Sequence, residues 1–320
     1  MGRIAARKIT AAALLALAVG PGAPAAFAGQ ERTAPASPPG TTCRVFPPDN
    51  VWNTVVSSLP VDSHSAAWLA SMNSGSAKLH PDFGRSPYGI PFAVEPGSYP
   101  KVPVRFKYAG ESDNGPYPFG PDIPVEKWSD RHALVIDSDA CVLYELYRAR
   151  WRSGRPKAGS GAIFDLGSNA LRPDGWTSGD AAGLPILPGL VRYDEVQAGF
   201  IGHAIRFTAG LTDCRHVWPA RHDAGTCNPS YPPMGARFRM KASYDISGFS
   251  AGARVILQAM KSYGLFLADN GSNWYFQGTR DDRWQSSLLD ELKSVPASVF
   301  EAVDQSACLV DPDSARASCP

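Results

Sequence analysis

The stretch "ALVIDSDACVLYELYRA", residues Ala133 to Ala149, decides the fold class, because two β-rich runs flank a short polar turn. In the second run, Val142, Tyr144 and Leu146 alternate with the residues between them. Apolar, β-branched and aromatic residues on both sides of a polar turn are typical of a β-hairpin. The sequence therefore predicts an antiparallel strand pair here.

Further segments repeat this pattern. Ala236–Tyr244 alternates between an apolar and a basic or polar face, as a half-buried strand does. Shorter strand candidates are Val102–Tyr108, Ala162–Leu166, Leu190–Tyr193, His203–Thr208, Leu265–Ala268 and Trp274–Gln277. Helices are predicted only over Ser65–Met72, Ala251–Tyr263 and Ser287–Val295. Many short strands with few helices indicate a mainly β fold, a β-sandwich or jelly-roll-like single domain with appended helices; an α+β fold is the alternative.

The amino-terminal region reads as an export signal. Basic residues precede an apolar run over Ile9–Val19, which is too short to span a bilayer, and Ala26–Ala28 has the small-x-small form of a cleavage site. We predict a signal peptide over 1–28, a disordered Pro/Ala/Ser/Thr-rich lead-in over 29–42 and one β-rich domain over 43–320. A membrane anchor is the alternative. The protein is expected to be secreted, extracellular, monomeric and free of the membrane after cleavage.

Six cysteines after this leader fit an oxidising compartment. They contain no C-x-x-C spacing, and six cysteines allow fifteen pairings. Proximity in sequence favours the pairs Cys214–Cys227, Cys308–Cys319 and, by remainder, Cys43–Cys141. Basic and acidic side chains are nearly balanced, at 31 and 30, so no basic face for nucleic acid is indicated.

Two sites suggested by short motifs are unconvincing. Gly248–Gly252 matches G-x-S-x-G, but all six histidines precede Ser250, so this serine is expected to cap the helix that follows. No zinc-binding spacing occurs, and no metal or other cofactor is predicted. Calcium stays open, because acid and amide oxygens cluster at Asp174–Asp180 and Asp269–Asn273.

The candidate site residues are acids, histidines and aromatics in loops next to strands, where function usually sits. The catalytic candidates are the carboxylates Asp174, Asp180 and Asp269, with His132 and His203 to orient them. The substrate-binding candidates are His80, Asp130, Arg172, Trp176, Arg221, His222, Asn270 and Trp274. Flat aromatic faces beside carboxylates and amides suit the recognition of sugars.

One long polar stretch, Ser168–Val196, needs a reason to exist, since a structureless loop of this length is uncommon in a compact domain. We predict that it forms the wall of a cleft in which it meets His132 and His203. The alternative is that Leu184, Ile186 and Leu187 make it a cover over an apolar sheet face.

Several phrases resemble an uncharacterised family of secreted bacterial proteins: "HPDFG", "DRHALVID", "SNALRPDGWTSGDAAGLPILPGLVRYDEV", "PPMGARFRMKAS" and "ADNGSNW". The resemblance covers roughly Cys43 to Asp304 and carries neither an activity nor a catalytic residue.

The hypothesis from these residues is a secreted enzyme acting on an extracellular polysaccharide or cell-wall glycan. It is most simply a glycoside hydrolase with paired carboxylates. A polysaccharide lyase, with Arg172 or Arg221 neutralising a uronate, is the close variant. A non-catalytic carbohydrate-binding or cell-wall-associated protein is the alternative class.

Overall fold

The computed structural model of the protein describes residues 1–2, 36–152 and 154–320. The predicted signal peptide from residue 3 onward and the first part of the lead-in, residues 29–35, lie outside the described residues. The end of the lead-in contacts the domain, since the main-chain oxygen of Ala36 accepts a hydrogen bond from the guanidinium of Arg192.

Short strands and a few helices build the described domain. The strands are β1 His80–Asp82, β2 Phe92–Glu95, β3 Arg105–Phe106, β4 Ala133–Asp137, β5 Val142–Leu146, β6 Lys157–Ala158, β7 Gly161–Asp165, β8 Ile205–Ala209, β9 Arg237–Met240, β10 Leu265–Asn270, β11 Tyr275–Gln277 and β12 Phe300–Val303. The α-helices are α1 Ser65–Ser71, α2 Tyr193–Ala198, α3 Ala251–Ser262 and α4 Ser286–Leu292. Strands account for 23% of the structure and helices for 16%, so the predicted mainly β class is confirmed.

Two larger mixed sheets carry the fold. One has the strand order β1-β11-β8-β10-β9-β12, and the other has the order β2-β4-β5-β7. The predicted hairpin is confirmed as β4 and β5, which pair antiparallel from Ala133 opposite Leu146 to Asp137 opposite Val142. The third sheet is the short parallel pair β3-β6.

The four-stranded sheet is buried on both faces. One face contributes Leu134 and Leu143 to the main apolar core, together with Phe207 of the six-stranded sheet. The opposite face contributes Val135 and Leu146 to a second, smaller core. This explains why β4 reads as a continuous apolar run, since both of its faces avoid water.

All three predicted disulfides are present: Cys43–Cys141, Cys214–Cys227 and Cys308–Cys319. The first joins the start of the domain to the turn of the hairpin across a sequence separation of 98, whereas the others close local loops. Such bonds form and persist in oxidising compartments.

The long stretch from 168 to 196 is an ordered, mostly buried segment. The predicted strand Leu190–Tyr193 is wrong, because Val191 makes only an isolated bridge to Gly278 and α2 begins at Tyr193. The Tyr193 ring, at the start of α2, packs edge-on against Trp284. Leu184, Ile186 and Leu187 of the segment are completely buried, so it does cover the core, as the alternative interpretation proposed.

Candidate active site

A pocket of about 480 Å³ lies where strand ends meet the long segment. This volume is within the range of small-molecule sites. Its walls come from the residues around β4, β5, β7 and β10 and from the segment 177–181. The lining residues are Tyr108, Glu111, Asp130, Tyr147, Ser160, Thr177, Ser178, Gly179, Asp180, Ala181, His222, Asp269 and Asn270.

A buried arginine brings two of the predicted carboxylates together. Arg206 projects from β8 and is fully buried, and its Nη2 lies 3.3 Å from Oδ2 of Asp180 and 3.9 Å from Oδ2 of Asp269. Asp269 reaches this position through an irregularity in the pairing of β10 with β8, between Leu267 and Asp269. A bulge of this kind re-aims a side chain. The two carboxylates therefore share one cation.

Asp180 is held too firmly to touch a substrate. Its Oδ1 accepts hydrogen bonds from the Ser178 hydroxyl and from the main-chain N–H groups of Ala182 and Leu184, each at 3.1 Å. Its side chain has no exposed surface. Burial raises the pKa of Asp180 to about 7, against the opposing charge of Arg206. Asp180 thus shapes the pocket and supplies negative charge behind it.

Glu145 also holds the long segment 168–196 in place. It extends from β5, and its carboxylate accepts hydrogen bonds from the main-chain N–H groups of Ile186 and Leu187 at 2.9 Å. Burial raises the pKa of Glu145 to about 7, although these hydrogen bonds favour the ionised form. Two buried acids therefore hold the long segment to the sheets.

Asp269 is the carboxylate of this cluster that reaches the pocket. About a quarter of its side chain, 26%, is exposed, whereas that of Asp180 is not. Burial raises the pKa of Asp269, the positive charges of Arg206 and His132 oppose the rise, and the negative charge of Asp130 adds to it. A carboxyl that keeps its proton at higher pH is suited to general acid catalysis.

His132 supports the pocket wall as a cation. Its Nδ1 lies 2.6 Å from the Glu126 carboxylate and its Nε2 lies 2.9 Å from the main-chain oxygen of Gly179. Both neighbours are acceptors, so both ring nitrogens donate and the imidazole is doubly protonated. Burial alone would lower the pKa of His132, but the contact with Glu126 outweighs it and the pKa is raised.

The rim of the pocket is polar and aromatic. His222 lies with Nε2 3.6 Å from the Glu111 carboxylate and with Nδ1 2.9 Å from the main-chain oxygen of Ala181. Tyr147 lines the pocket together with Asp130 and Asp269. Burial raises the pKa of Tyr147, and the charges of these two acids add to the rise. The rim thus offers hydrogen-bonding groups and ring faces together.

The predicted convergence is met in part. His132 contacts the long segment through Gly179, as expected. His203 lies elsewhere, with Nε2 3.2 Å from Glu195 of α2 and Nδ1 2.8 Å from the main-chain oxygen of Ala204. The sequence pattern correctly placed His203 among packed residues, where it joins α2 to β8.

Asp174 also stands apart from the carboxylate pair. Its side chain is 69% exposed and lies 3.2 Å from Nε2 of His216. Trp176 is half-buried with the Arg172 guanidinium over its ring at 5.5 Å, so it is not the exposed platform that was predicted.

The remaining predicted binding residues divide between the pocket and the core. Asp130, His222 and Asn270 line the pocket. Trp274 is fully buried and donates a hydrogen bond to the main-chain oxygen of Met72, so it packs the core. His80 stacks on Tyr275 in a separate cavity.

Both predicted substrate-binding arginines are engaged by the protein itself. Arg172 donates to Asp113 and to the main-chain oxygens of Thr177 and Glu111. Arg221 donates to Asp313 and to the main-chain oxygens of Arg172 and Pro312.

Sequence reasoning missed Arg206, Glu145 and Glu126, which organise the site. Arg206 and Glu145 each interrupt an apolar strand run, and a charge at such a position signals a buried ion pair or site. Ser250 acts as predicted from the sequence: its hydroxyl accepts from the N–H of Ala253 at 3.4 Å and caps α3.

Comparisons with known proteins give no relative. No family model matches the chain, and neither the curated proteins nor the solved structures contain a match. Within residues 36–152 and 154–320, no group of three or more His, Cys, Asp or Glu side chains is placed to hold a metal ion. None of the helices that the structure describes combines the length and apolarity needed to cross a bilayer.

Proposed function

We propose that the protein is a secreted glycoside hydrolase and that the pocket containing Asp269 is its active site. The observation that carries the proposal is the environment of Asp269, a partly exposed carboxyl with a raised pKa beside the buried Arg206–Asp180 pair. Perturbed carboxyls in a pocket are frequent at catalytic sites. The three disulfides fit an extracellular setting.

In this proposal Asp269 is the general acid and Asp130 is the general base. Asp269 gives its proton to the glycosidic oxygen, so that the leaving sugar departs as an alcohol. Asp130 is exposed on the same pocket wall and takes a proton from the water whose oxygen bonds to the anomeric carbon. Atoms balance, since one water is consumed and one glycosidic bond is broken.

The two carboxylates have the electrostatic relation that these roles need. The charge of Asp130 contributes to raising the pKa of Asp269, so an ionised base favours a protonated acid. A carboxyl with a raised pKa and an exposed carboxylate in the same pocket can divide the acid and base roles between them.

The charge of the pocket favours a neutral sugar or an amino sugar as substrate. Glu111, Asp130 and Asp269 all line it. The arginines that the lyase variant would use, Arg172 and Arg221, are held by carboxylates and main-chain oxygens. A uronate would meet negative charge, which is repulsive in a partly desolvated pocket.

The test is turnover of a panel of soluble glycans: β-glucans, xylan, mannan, glycol chitin and solubilised peptidoglycan. Reducing ends are measured for the wild type and for Asp269→Asn, Asp130→Asn and the control Asp165→Asn. Asp165 is an exposed carboxylate on β7 whose side chain accepts a hydrogen bond from the local N–H of Gly167.

We expect one glycan to be cleaved, and both active-site variants to lose at least 100-fold in rate, typical of removing a positioned acid or base. The control should keep the wild-type rate. Binding of a glycan without cleavage would refute the enzyme and favour the carbohydrate-binding alternative. Full activity of folded Asp269→Asn would refute the assignment of the site.

A further inference from the structure

Two exposed aromatic side chains form a surface ridge outside the pocket. Tyr88 and Trp128 expose 56% and 57% of their surface, the highest values among the large hydrophobic residues described after Met1. Their ring centroids are 6.5 Å apart. An exposed aromatic ring offers a large apolar surface, and a ligand that stacks on the ring removes that surface from water. We call this pair the aromatic ridge.

The aromatic ridge lies between two cavities. Tyr88 lines a second cavity of about 670 Å³, together with His80, Asp82 and Gln285. Trp128 precedes Asp130 by two residues, so chain geometry keeps their Cα atoms within about 7 Å. Asp130 lines the active-site pocket. A path over the protein surface therefore joins the pocket, the ridge and the second cavity.

Charged groups near the active-site pocket also act on the second cavity. Burial raises the pKa of Asp82 in the second cavity, the charges of Glu126 and Asp130 add to the rise, and Arg206 opposes it. Charges in solvent-exposed regions act over about one Debye length, near 10 Å. Asp82 lines the second cavity and Asp130 lines the active-site pocket, so a carboxylate stands at each end of the aromatic ridge.

This inference rests on the proposed function and extends it to the length of the substrate. We propose that the substrate is a neutral or amino-sugar polysaccharide whose chain runs from the active-site pocket across the aromatic ridge into the second cavity, and that cleavage occurs within the chain. Sugar rings stack their C–H faces on Tyr88 and Trp128. His80, Asp82 and Gln285 then receive the hydroxyl groups of the sugars beyond the ridge.

The experiment compares a long and a short substrate. Trp128→Ala, Tyr88→Ala and the control Val310→Ala are assayed on the glycan that the panel identifies and on the aryl glycoside of its disaccharide. Val310 is 51% exposed and lies within the Cys308–Cys319 loop. Its truncation therefore removes exposed apolar surface from a different part of the chain than the ridge. Affinity electrophoresis in gels containing each panel glycan measures binding without turnover, using wild type and Trp128→Ala.

We expect Trp128→Ala and Tyr88→Ala to lower kcat/KM on the polymer about tenfold each while the aryl glycoside changes less than about twofold, as for a stacking contact remote from the reaction. The wild type should reduce the viscosity of the polymer early, before many reducing ends appear. Equal losses on both substrates, no loss on the polymer, or release of short products from chain ends alone would overturn the inference. If Asp269→Asn stays active, the proposed acid fails, while loss of gel retardation in Trp128→Ala would still support the ridge.

Discussion

The substitution Glu145→Gln tests how the long segment 168–196 is held to the four-stranded sheet. The folded protein buries this carboxyl completely, and the N–H groups of Ile186 and Leu187 donate hydrogen bonds to it. Burial raises its pKa from the ordinary 4.5 to about 7. The folded state therefore binds the proton more tightly than the unfolded state does. The stabilisation of the fold by protonated Glu145 is complete below pH 4.5 and is lost as the pH rises through about 7.

The size of the effect follows from the shift. Each pKa unit corresponds to about 1.4 kcal/mol, so the ionisation of Glu145 costs the folded state about 2.5 kcal/mol between pH 5 and pH 8. A glutamine has nearly the same shape and cannot ionise. Any loss from its amide facing the Ile186 N–H is the same at both pH values. The charge of Glu145 also raises the pKa of Asp180. Removing that charge therefore lowers the pKa of Asp180, which reduces the pH dependence of the unfolding free energy in the same direction.

The assay is urea unfolding at pH 5 and pH 8 for the wild type, Glu145→Gln and the control Asp165→Asn. The wild type and the control should lose more unfolding free energy between the two pH values than Glu145→Gln does, by about 2.5 kcal/mol. An identical pH dependence in Glu145→Gln and the wild type would show that Glu145 is already ionised at pH 5 in the folded protein, and the account of its burial would fail.

Three further predictions concern other residues. Ser250→Ala should lower the unfolding free energy by about 1 kcal/mol through the lost cap and leave activity unchanged; complete inactivation of the folded variant would revive a serine nucleophile. Titration of the denatured, unreduced mature protein should find no free thiol, and two or more would contradict the three disulfides. The ¹⁵N shifts of His132 should report a doubly protonated ring at pH 7, and Glu126→Gln should lower the pKa of His132; a neutral ring in the wild type at pH 7 would contradict the assigned donors.

The sequence predicted local elements well, because their patterns act over a few residues. The hairpin of β4 and β5, the cap at Ser250 and the helix α3 depend on alternation, turn residues and helical spacing. The disulfides followed from proximity and remainder. Leu190–Tyr193 was mistaken for a strand, because its short apolar run does not show that Val191 makes only an isolated bridge and that α2 begins at Tyr193.

The site was predictable as a set of residue types and not as a geometry. Asp180 and Asp269 were both selected as acids, yet only the folded chain shows that Asp180 binds N–H groups while Asp269 reaches the pocket. Arg206 joins them from the middle of a buried strand. Its partners lie 26 or more residues away in sequence, where spacing carries no information about contact.

The first and last parts of the domain meet at the same edge of the structure. Asn50 bridges Arg316, and Val61 bridges Val303 of β12, while β1 and β12 form the two outer strands of the six-stranded sheet. The six-stranded sheet therefore draws on both parts of the domain, because β1 comes from the first part and its other five strands come from the second. The neighbouring ends make the domain suited to circular permutation, since a short linker across them and a new opening at an exposed turn would preserve every strand pair.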